Sequence, residues 1–529
     1  MPRSARRNLL IVIFVILLCG VLGSVFGQHF GAGTDAAELN DGLRTFSQVF
    51  DMVEQNYAEP VNPDKAIYNG AIPGMLRVLD PHSSFFDPKS FSLLREEQKG
   101  KYYGVGMQVG PRNNKVIVIA PFAGTPAYRA GIRPGDIIAA VNGKPTDNLS
   151  TSDVADMLKG PKGTAVSITV LREGTAKPLT FNLVRDEIPR YSVDLHFLIR
   201  PGIGYMHISG FQETTEHEVQ QALDEMGELK GLVLDLRQNP GGLLSEGVGV
   251  ADKFLKRGQV IVSHHGRSSP EKIYRAAHGN GGKDYPLVVI VNRGTASAAE
   301  IVAGAIQDHD RGLILGETTF GKGLVQTVYQ LSENTGLALT TAKYYTPSGR
   351  LIQRDYSGVS LYDYYYNHGD SDAPANREVK LTDSGRTVYG GGGITPDVKF
   401  TEPKDNKSQD ELLEHYAFFN FAKHYVDTHK AGRNFEVDDA VMREFHKFLD
   451  DEKISYSEAD LNPVADWVKT HIKSEIFIDL FGQEEGLKVS AESDPEVLKA
   501  LDLLGQAKQL TESAKKIMAE RAAARNLNR

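Results

Sequence analysis

The strongest constraint on the fold is the stretch 287–326, LVVIVNRGTASAAEIVAGAIQDHDRGLILGETTFGKGLVQ. Its first residues, Leu287–Val291, are all apolar, which indicates a strand buried on both faces of a parallel sheet. A helical pattern of small and apolar residues follows after a short turn. Ser297 lies in the first turn of that helix, where free backbone N–H groups and the positive helix end favour a developing negative charge. This is a suitable position for a nucleophile.

The glycines and the lysine of Gly316–Lys322 imitate a phosphate-binding P-loop. A P-loop needs Ser or Thr after its lysine to hold magnesium, and it must open a helix. Gly323 takes that place here, and residues 324–331 alternate with the period of two that is typical of a strand. A nucleotide site is therefore not expected.

Ser297, Lys322 and Gln326 form the candidate catalytic set. A serine hydroxyl becomes nucleophilic when a nearby base removes its proton, and an uncharged lysine amine can be that base. An exposed lysine titrates near pH ~10.4, so Lys322 needs burial to lose its charge at neutral pH, and Phe320 and Leu324 supply apolar neighbours. Gln326 could orient the amine without adding charge. For either residue taken alone there is a structural alternative: Ser297 would be a small residue that starts a helix, and Lys322 would be a solvated loop lysine.

Three motifs closely resemble the carboxyl-terminal processing peptidases, the tail-specific Ser-Lys proteases of peptidase family S41, subfamily A. They are Gly294–Glu300 (GTASAAE), Thr319–Gly323 (TFGKG) with Gln326, and Asp235–Gly242 (DLRQNPGG). The resemblance implies that Ser297 is the nucleophile, Lys322 the base and Gln326 a supporting residue. It also implies a ClpP- or crotonase-like βα peptidase core with serine endopeptidase activity that uses no cofactor and no metal.

Backbone N–H groups of two loops are expected to bind the oxyanion. The apolar strand that ends at Leu236 leads into a glycine-rich loop, and the strand that ends at Val291 leads to Ser297, so both loops should meet at one edge of the sheet. We predict an oxyanion hole formed by the N–H of Ala298 and that of Gly241 or Gly242. For either glycine taken alone, an equal alternative to a role in the oxyanion hole is that the glycine only forms a turn that the fold requires.

Histidines offer two competing interpretations. His264 and His265 would suggest a Ser-His-Asp triad, but no Gly-x-Ser-x-Gly elbow surrounds Ser297, and a surface position is favoured. His82 and Ser83 are adjacent in sequence and rarely could face each other, so a turn-capping role is expected. The sequence also contains no His-Glu-x-x-His or comparable metal-binding spacing.

Residues 99–187 resemble a PDZ domain. Short strands and turns replace helical patterns here, among them KVIVIA at 115–120 and AGIRPGD at 130–136. A peptide would add as a strand to an open sheet edge, and loop N–H groups would hold its terminal carboxylate. The residues of that loop are Gly104, Val105, Gly106 and Met107. Proteins and peptides with accessible C-termini are therefore the expected substrates.

The N-terminus predicts export. Arg3, Arg6 and Arg7 precede the apolar run 9–26, a pattern typical of a signal peptide or a single membrane anchor. We favour an uncleaved anchor in a bacterial inner membrane, with the remaining chain facing the periplasm or extracytoplasmic space. The net charge of −9 provides no basic excess for nucleic acid, and the single cysteine, Cys19, excludes an intramolecular disulfide.

With 529 residues, the chain exceeds what one hydrophobic core supports, so a multi-domain α/β (α+β) protein is predicted. We assign 1–27 to the anchor, 28–98 to a tether and helices, 99–187 to the inserted PDZ domain, 188–400 to the peptidase core and 401–529 to a helical extension. In related proteases the N-terminal helices pair subunits, so the resemblance implies a homo-oligomer. The role of the extension is left open between three alternatives: packing on the peptidase, assembly, and binding of an adaptor protein.

Overall fold

The computed structural model describes residues 36–112, 114–366 and 377–527. The chain divides into two compact units, one ending at Val78 and the other beginning at Leu79. The predicted anchor, residues 1–27, lies outside the described residues. Within the described ranges, no helix is both long enough and apolar enough to cross a membrane.

The described part of the first unit, residues 36–78, is largely helical. Helix α1 (Ala36–Asn56) is followed by a second helical stretch made of α2 (Pro63–Ala66), a π-helical segment (Ile67–Ala71) and α3 (Ile72–Arg77). Apolar residues recur in α1 at alternating intervals of four and three, and their side chains are exposed or half-exposed. They are Leu39, Leu43, Phe46, Phe50 and Val53. We call this row the α1 seam.

The second unit opens with β1 (Ser84–Phe86) and α4 (Pro88–Lys99), and the chain then enters the predicted PDZ domain. Strands β2 (Lys101–Gly104) and β9 (Asp186–Pro189) pair antiparallel, so the chain enters and leaves this domain through one ribbon. The elements between them are β3 (Met107–Arg112), β4 (Lys115–Pro121), α5 (Pro126–Arg129), β5 (Ile137–Val141), β6 (Lys144–Pro145), α6 (Thr151–Leu158), β7 (Ala165–Leu171) and β8 (Leu179–Val184). In this sheet the order is β3-β4-β5-β7-β8, with β6 paired to β5, so β3 is an edge strand.

A six-stranded sheet forms the centre of the second unit. Its order is β10-β11-β12-β15-β16-β21, parallel except for β10. Strands β12 and β15 are buried along their whole length, as their continuous apolar sequences predict. The elements of this region are β10 (Val193–Arg200), β11 (Ile203–Ile208), α7 (Thr215–Met226), β12 (Gly231–Asp235), α8 (Leu244–Asp252), β13 (Val260–Gly266), β14 (Ser269–Arg275), β15 (Leu287–Val291), α9 (Ala298–Asp308) and β16 (Leu313–Gly316).

A second, antiparallel sheet lies beside the catalytic candidates. It has the order β1-β18-β13-β14, with β17 also paired to β18. The later elements are β17 (Leu324–Gln330), β18 (Gly336–Tyr345), α10 (Leu361–Tyr365), β19 (Val379–Leu381), β20 (Thr387–Tyr389) and β21 (Val398–Lys399). Because β17 begins at Leu324, two residues after Lys322, the segment that resembles a P-loop leads into a strand, as predicted.

The helical extension has two parts. Its first helices pack around their own apolar core, which includes Phe421, Phe445 and Ile472. The last helix instead lies on the central sheet, where Val497 and Leu504 pack against residues of β12, β15 and β16. The helices are α11 (Lys407–Glu414), α12 (Ala417–Thr428), α13 (Asp439–Asp451), α14 (Glu458–Leu461), α15 (Ala465–Phe481), α16 (Gln483–Ser493) and α17 (Pro495–Leu527).

The predicted fold class is confirmed, since a βα core, an inserted β-domain, N-terminal helices and a helical tail are all present. Side chains alternate between the two faces of the central sheet. Leu232 and Leu234 of β12 join the core formed with α7, α8 and α9, whereas Val233 joins the core formed with α17. Both sheet faces are therefore covered, and the loops at the strand ends carry the candidate site.

Candidate active site

Ser297 is the residue that joins the turn after β15 to helix α9. Its backbone has φ 54° and ψ −114°, a conformation that non-glycine residues rarely adopt and that costs about 1–3 kcal/mol. The preceding residue is held in place, because the Ala296 N–H donates to the carbonyl oxygen of Asn239 at 2.8 Å. A half-buried serine on a strained strand-to-helix turn presents its hydroxyl in a fixed direction.

The buried carboxylate of Glu300 connects the serine to the lysine loop. Its Oε2 accepts hydrogen bonds from the N–H of Ser297 at 2.9 Å and that of Lys322 at 2.8 Å. Its Oε1 accepts from the N–H of Gly321 at 2.8 Å and from the hydroxyl of Thr319 at 2.5 Å. The turn at Ser297 and the loop Thr319–Lys322, more than twenty residues apart in the chain, are thus hydrogen-bonded to the same side chain.

Burial raises the pKa of Glu300, whereas the hydrogen bonds from Thr319, Lys322, Gly321 and Ser297 act in the opposite direction. Both carboxylate oxygens accept backbone N–H groups, which can only donate, and the remaining partner, the Thr319 hydroxyl, already accepts the N–H of Ile394 at 2.7 Å. The geometry therefore matches the ionised form of Glu300.

Lys322 is the candidate base, and burial lowers the pKa of its amine, although the charges of Glu300 and Asp80 oppose this shift. Its Nζ donates a hydrogen bond to Oε1 of Gln326 at 3.2 Å. Among the described residues, Gln326 is the hydrogen-bond acceptor of this amine, and Ser297 Oγ is not bonded to it. Gln326 is uncharged, so it orients the amine without stabilising the protonated form as a carboxylate would.

Gln326 is directed by a β-bulge and by a distant turn. The pairing of β17 with β18 shifts register between Val325 and Gln326, and such bulges re-aim side chains. The Gln326 amide donates to the backbone carbonyl of His82. That carbonyl belongs to a turn in which the Asp80 carboxylate accepts the N–H groups of His82 at 2.8 Å and Ser83 at 2.7 Å.

His82 was predicted only to cap a turn, yet the structure places it beside the lysine. Its Nε2 lies 2.9 Å from the hydroxyl of Tyr364, and its Nδ1 lies 3.3 Å from that of Tyr365. Burial, followed by the charge of Lys322, lowers the pKa of His82 to about 4. The imidazole is thus neutral at neutral pH and adds no second cation next to the amine.

Tyr344 links the nucleophile and the base from the other sheet. Its hydroxyl oxygen lies 3.1 Å from the carbonyl oxygen of Ser297 and 2.5 Å from that of Lys322. Burial raises the pKa of this phenol well above its usual value, so it stays a donor across the physiological range. The backbones of Ser297 and Lys322 are therefore close together and are fixed by both Glu300 and Tyr344.

The structure distinguishes the two glycines of the predicted oxyanion loop. The N–H of Gly241 donates to Oδ1 of the buried Asn239 at 2.9 Å, which directs it away from a substrate. Among the described residues, neither Gly242 N–H nor Ala298 N–H has a hydrogen-bond acceptor. A Cβ atom built on Gly241 would lie 2.9 Å from the nitrogen of Ala298 and 2.7 Å from Cβ of Ser297. Gly241 thus provides room beside the serine, while Gly242 offers a free donor.

The four residues of the predicted carboxylate-binding loop lie together, in a domain separate from Ser297. Gly104 ends β2 and Met107 begins β3, the edge strand. The carbonyl oxygen of Val105 accepts the Ala127 N–H at 2.9 Å, and that of Gly106 accepts the Phe122 N–H at 3.0 Å. With both carbonyl groups bonded inward, the loop is held beside the free edge of β3.

Family models match four parts of the sequence. They are described as peptidase family S41 (residues 202–360), PDZ domain (117–172), probable PDZ-protease C-terminal helical domain (408–460) and activating protease CtpB N-terminal domain (28–90). A carboxy-terminal-processing protease of Bartonella bacilliformis is 40% identical over 317 residues, which are 59% of this chain and 72% of that protein. The chain belongs to peptidase family S41.

Other carboxy-terminal processing proteases are similarly close to this S41 peptidase. One from Synechocystis sp. is 41% identical over 292 residues, which are 54% of this chain and 68% of that protein. The solved structure of a photosystem II D1 C-terminal processing protease is 33% identical, covers 66% of this chain and 86% of its own, and has a TM-score of 0.34. The predicted family is confirmed, and the protein is a serine-type peptidase with a PDZ domain.

The structure of this S41 peptidase adds Glu300, Tyr344 and His82 to the site, none of which was assigned to it from the sequence. Glu300 stands three positions after Ser297, the spacing of a helix capping box, so its bond to the Ser297 N–H had a sequence signal. Tyr344 and the carbonyl of His82 had none, because their contacts depend on tertiary structure. His264 contacts Tyr274 at 3.4 Å rather than the serine, and the described residues contain no His, Cys, Asp and Glu cluster suited to a metal.

Lys322→Met is expected to raise the melting temperature at pH 7. Since the folded-state pKa of Lys322 lies below the usual 10.5, the unfolded chain binds this proton more tightly than the folded chain. The resulting loss of stability is complete below the folded-state pKa and disappears as the pH rises from that value toward 10.5. The gain in melting temperature should therefore shrink between pH 7 and pH 9 if the folded-state pKa lies in or below that interval.

The matched control is Lys343→Met, which removes an exposed lysine from the neighbouring strand β18. This variant should leave the melting temperature nearly unchanged at pH 7. A Lys322→Met protein that melts at or below the wild-type temperature at neutral pH would show that the lysine is not destabilised by its surroundings.

Proposed function

We propose that this peptidase cleaves proteins near their C-termini by a Ser-Lys mechanism in which Ser297 is the nucleophile and Lys322 the general base. The observation that carries the proposal is the shared attachment of both residues to Glu300 and Tyr344, together with the burial that lowers the pKa of Lys322. A neutral amine and a hydroxyl held on one rigid frame are the requirements of this chemistry.

In the first half-reaction, Lys322 Nζ takes the proton of Ser297 Oγ as that oxygen attacks the substrate carbonyl carbon. For this step the Lys322 amine turns from Gln326 to Ser297 by rotation of its side chain, while the backbone stays in place. Such a change on substrate binding is common, because catalytic hydrogen bonds often form fully only in the complex. The protonated amine then gives its proton to the leaving amine, and the peptide C–N bond breaks. Lys322 then takes a proton from a water molecule, which attacks the ester carbon. The acyl C–O bond breaks as Ser297 Oγ takes that proton back from Lys322.

The oxyanion of the tetrahedral intermediate is bound by the N–H groups of Ala298 and Gly242. Support comes from their lack of other acceptors among the described residues, and from the bond that occupies the Gly241 N–H. Ala298 begins α9, so the positive helix end adds to the stabilisation. Removing one such donor typically costs about 10²–10³ in rate.

Ser297→Ala and Lys322→Ala are each expected to lower kcat on an unstructured protein tail by at least about 10³-fold, because loss of either member stops acyl transfer. In the wild type, kcat/KM should rise with pH as Lys322 loses its proton, with a midpoint below 10.5. Ser268→Ala and Lys343→Ala, at exposed positions, are the controls and should retain full activity. Equal turnover by the wild type and both site variants would refute the mechanism.

We further propose that the PDZ domain selects substrates by their free C-terminus. The loop Gly104–Met107 lies beside β3, whose outer edge is unpaired among the described strands, and helix α6 packs near this strand. A peptide can therefore add to β3 while its carboxylate reaches the loop N–H groups.

A substrate whose terminal carboxylate is replaced by a carboxamide should show a KM raised by about tenfold or more, with a smaller change in kcat, because only binding loses a charge-assisted contact. Steady-state cleavage of the acid and the amide of one peptide measures this. The control is the hydrolysis of a small activated ester that is too short to reach the PDZ domain. Its rate should not change when free-acid peptide is added as a competitor. Identical KM values for acid and amide would exclude carboxylate recognition.

We also propose that two copies of the chain associate through the α1 seam. Apolar residues at alternating intervals of four and three form the a and d positions of a coiled coil, and in a single chain these side chains are exposed or half-exposed. Phe46→Glu should therefore halve the mass measured by sedimentation of the detergent-solubilised chain, whereas Gln48→Glu, on the opposite face of α1, should not change it. A monomeric wild type, or an unchanged mass for Phe46→Glu, would contradict this assembly.

Export and anchoring rest on the sequence alone. The arginines before the run 9–26 favour retention of the N-terminus in the cytoplasm and exposure of the catalytic domain to the periplasm of a bacterial cell. We propose that the segment stays attached to the mature chain. Release of the protein from membranes by alkaline carbonate would exclude an integral anchor.

A further inference from the structure

The first turn of α17 contacts the loop that carries Gly242. The guanidinium of Arg237, the second residue after β12, lies 2.9 Å from Oδ2 of Asp494 and 3.1 Å from Oε2 of Glu496. The same guanidinium pairs with Asp235 at 2.6 Å. Two acids of the C-terminal extension therefore meet the residue from which the predicted oxyanion loop starts.

This ion cluster is largely shielded from water. The exposed fractions of the side chains are 1% for Asp235, 9% for Glu496, 18% for Arg237 and 26% for Asp494. The hydroxyl of Tyr205 donates to Asp235 at 2.8 Å, and Asp494 also accepts the N–H groups of Glu496 and Val497, which caps α17. Partners in such a buried cluster hold one another in a defined geometry. Burial raises the pKa of Glu496 to about 8, although the charge of Arg237 opposes this shift, so near neutral pH Glu496 holds Arg237 chiefly as a hydrogen-bond acceptor.

Arg237 is joined to the catalytic serine by a short chain of bonds. Directly after it, the Gln238 N–H donates to Oδ1 of Asn292, the residue that follows β15, at 3.0 Å. The next residue, Asn239, accepts the Ala296 N–H and, through its side chain, orients Gly241. A shift of Arg237 would therefore move the loop on which the direction of the Gly242 N–H depends.

Glu496 also fits closely over the neighbouring strand end. A Cβ atom built on Gly316, the last residue of β16, would lie 2.8 Å from Oε1 of Glu496. The glycine thus leaves room for the carboxyl group at the strand edge from which the lysine loop departs. The extension consequently touches the starts of both loops that form the site.

We propose that Asp494 and Glu496 are positioning residues of the peptidase reaction, which hold Arg237 and, through it, the oxyanion loop beside Ser297. The proposal rests on the proposed acyl transfer to Ser297. It gives the C-terminal extension a part in catalysis: the core domain alone holds the nucleophile and the base, and α17 sets the position of the groups that stabilise the oxyanion.

The test is the double variant Asp494→Asn, Glu496→Gln in the full-length chain. Asn remains a good helix cap, and both substitutions keep side-chain size, so the change is confined to replacing the two carboxyl groups by amides. The variant is expected to lower kcat by about 10- to 100-fold with little change in KM, for protein tails and for a small activated ester alike, because small displacements of catalytic groups are costly. Glu512→Gln, an exposed position on the same helix, is the matched control with wild-type kinetics expected.

Reaction with a phosphonyl fluoride separates the possible failures, because this reagent needs both a nucleophilic Ser297 and an oxyanion hole. The double variant should be labelled more slowly by the same factor as kcat falls, at a temperature at which circular dichroism shows it fully folded. Wild-type labelling and kcat in the folded double variant would overturn the positioning role while leaving the acyl mechanism intact. A wild-type enzyme that is not labelled at Ser297 would overturn the acyl mechanism itself.

Discussion

The active site depends on the carboxylate of Glu300 more than on any other single group. A buried carboxylate without partners costs several kcal/mol, and each unsatisfied buried donor costs about 1–3 kcal/mol. Only an arrangement that brings the Ser297, Gly321 and Lys322 N–H groups and the Thr319 hydroxyl to the same carboxylate avoids both costs. The strained backbone of Ser297 persists because these bonds, with the packing of α9, define its position.

The same carboxylate creates a conflict that the surrounding residues reduce. Its charge raises the pKa of Lys322, while catalysis needs the neutral amine, so burial has to be the larger effect. Asp80 raises this pKa as well, but Gln326 and His82 add no further negative charge. Gln326 accepts its hydrogen bond without a charge, and His82, with a pKa of about 4, is neutral. A glutamate in place of Gln326 would keep the hydrogen bond and shift the lysine toward its protonated, inactive form.

The sequence was sufficient for those parts of the fold that local pattern determines. Strand β15 has the predicted ends, because a strand buried on both faces is a continuous apolar run, and the strand after Lys322 followed from its alternation. Whether Gly241 or Gly242 has a free N–H could not be predicted, because Asn239 decides it through a side-chain bond. The carbonyl of His82 was missed for a related reason: no local pattern reports a contact made across 244 residues.

The helical extension shows how far such reasoning extends. Its helices were predicted, but three roles were left open, and the structure bears directly on the first of them, packing on the peptidase. A parallel sheet needs cover on both faces, and Val233, Val288 and Ile290 on the second face are buried against residues of α17. Without α17 this apolar face would meet water, so the extension is part of the peptidase fold before any other role is considered. Assembly and adaptor binding remain predictions, and any partner that displaced α17 would also remove Glu496 from Arg237 and so act on the oxyanion loop.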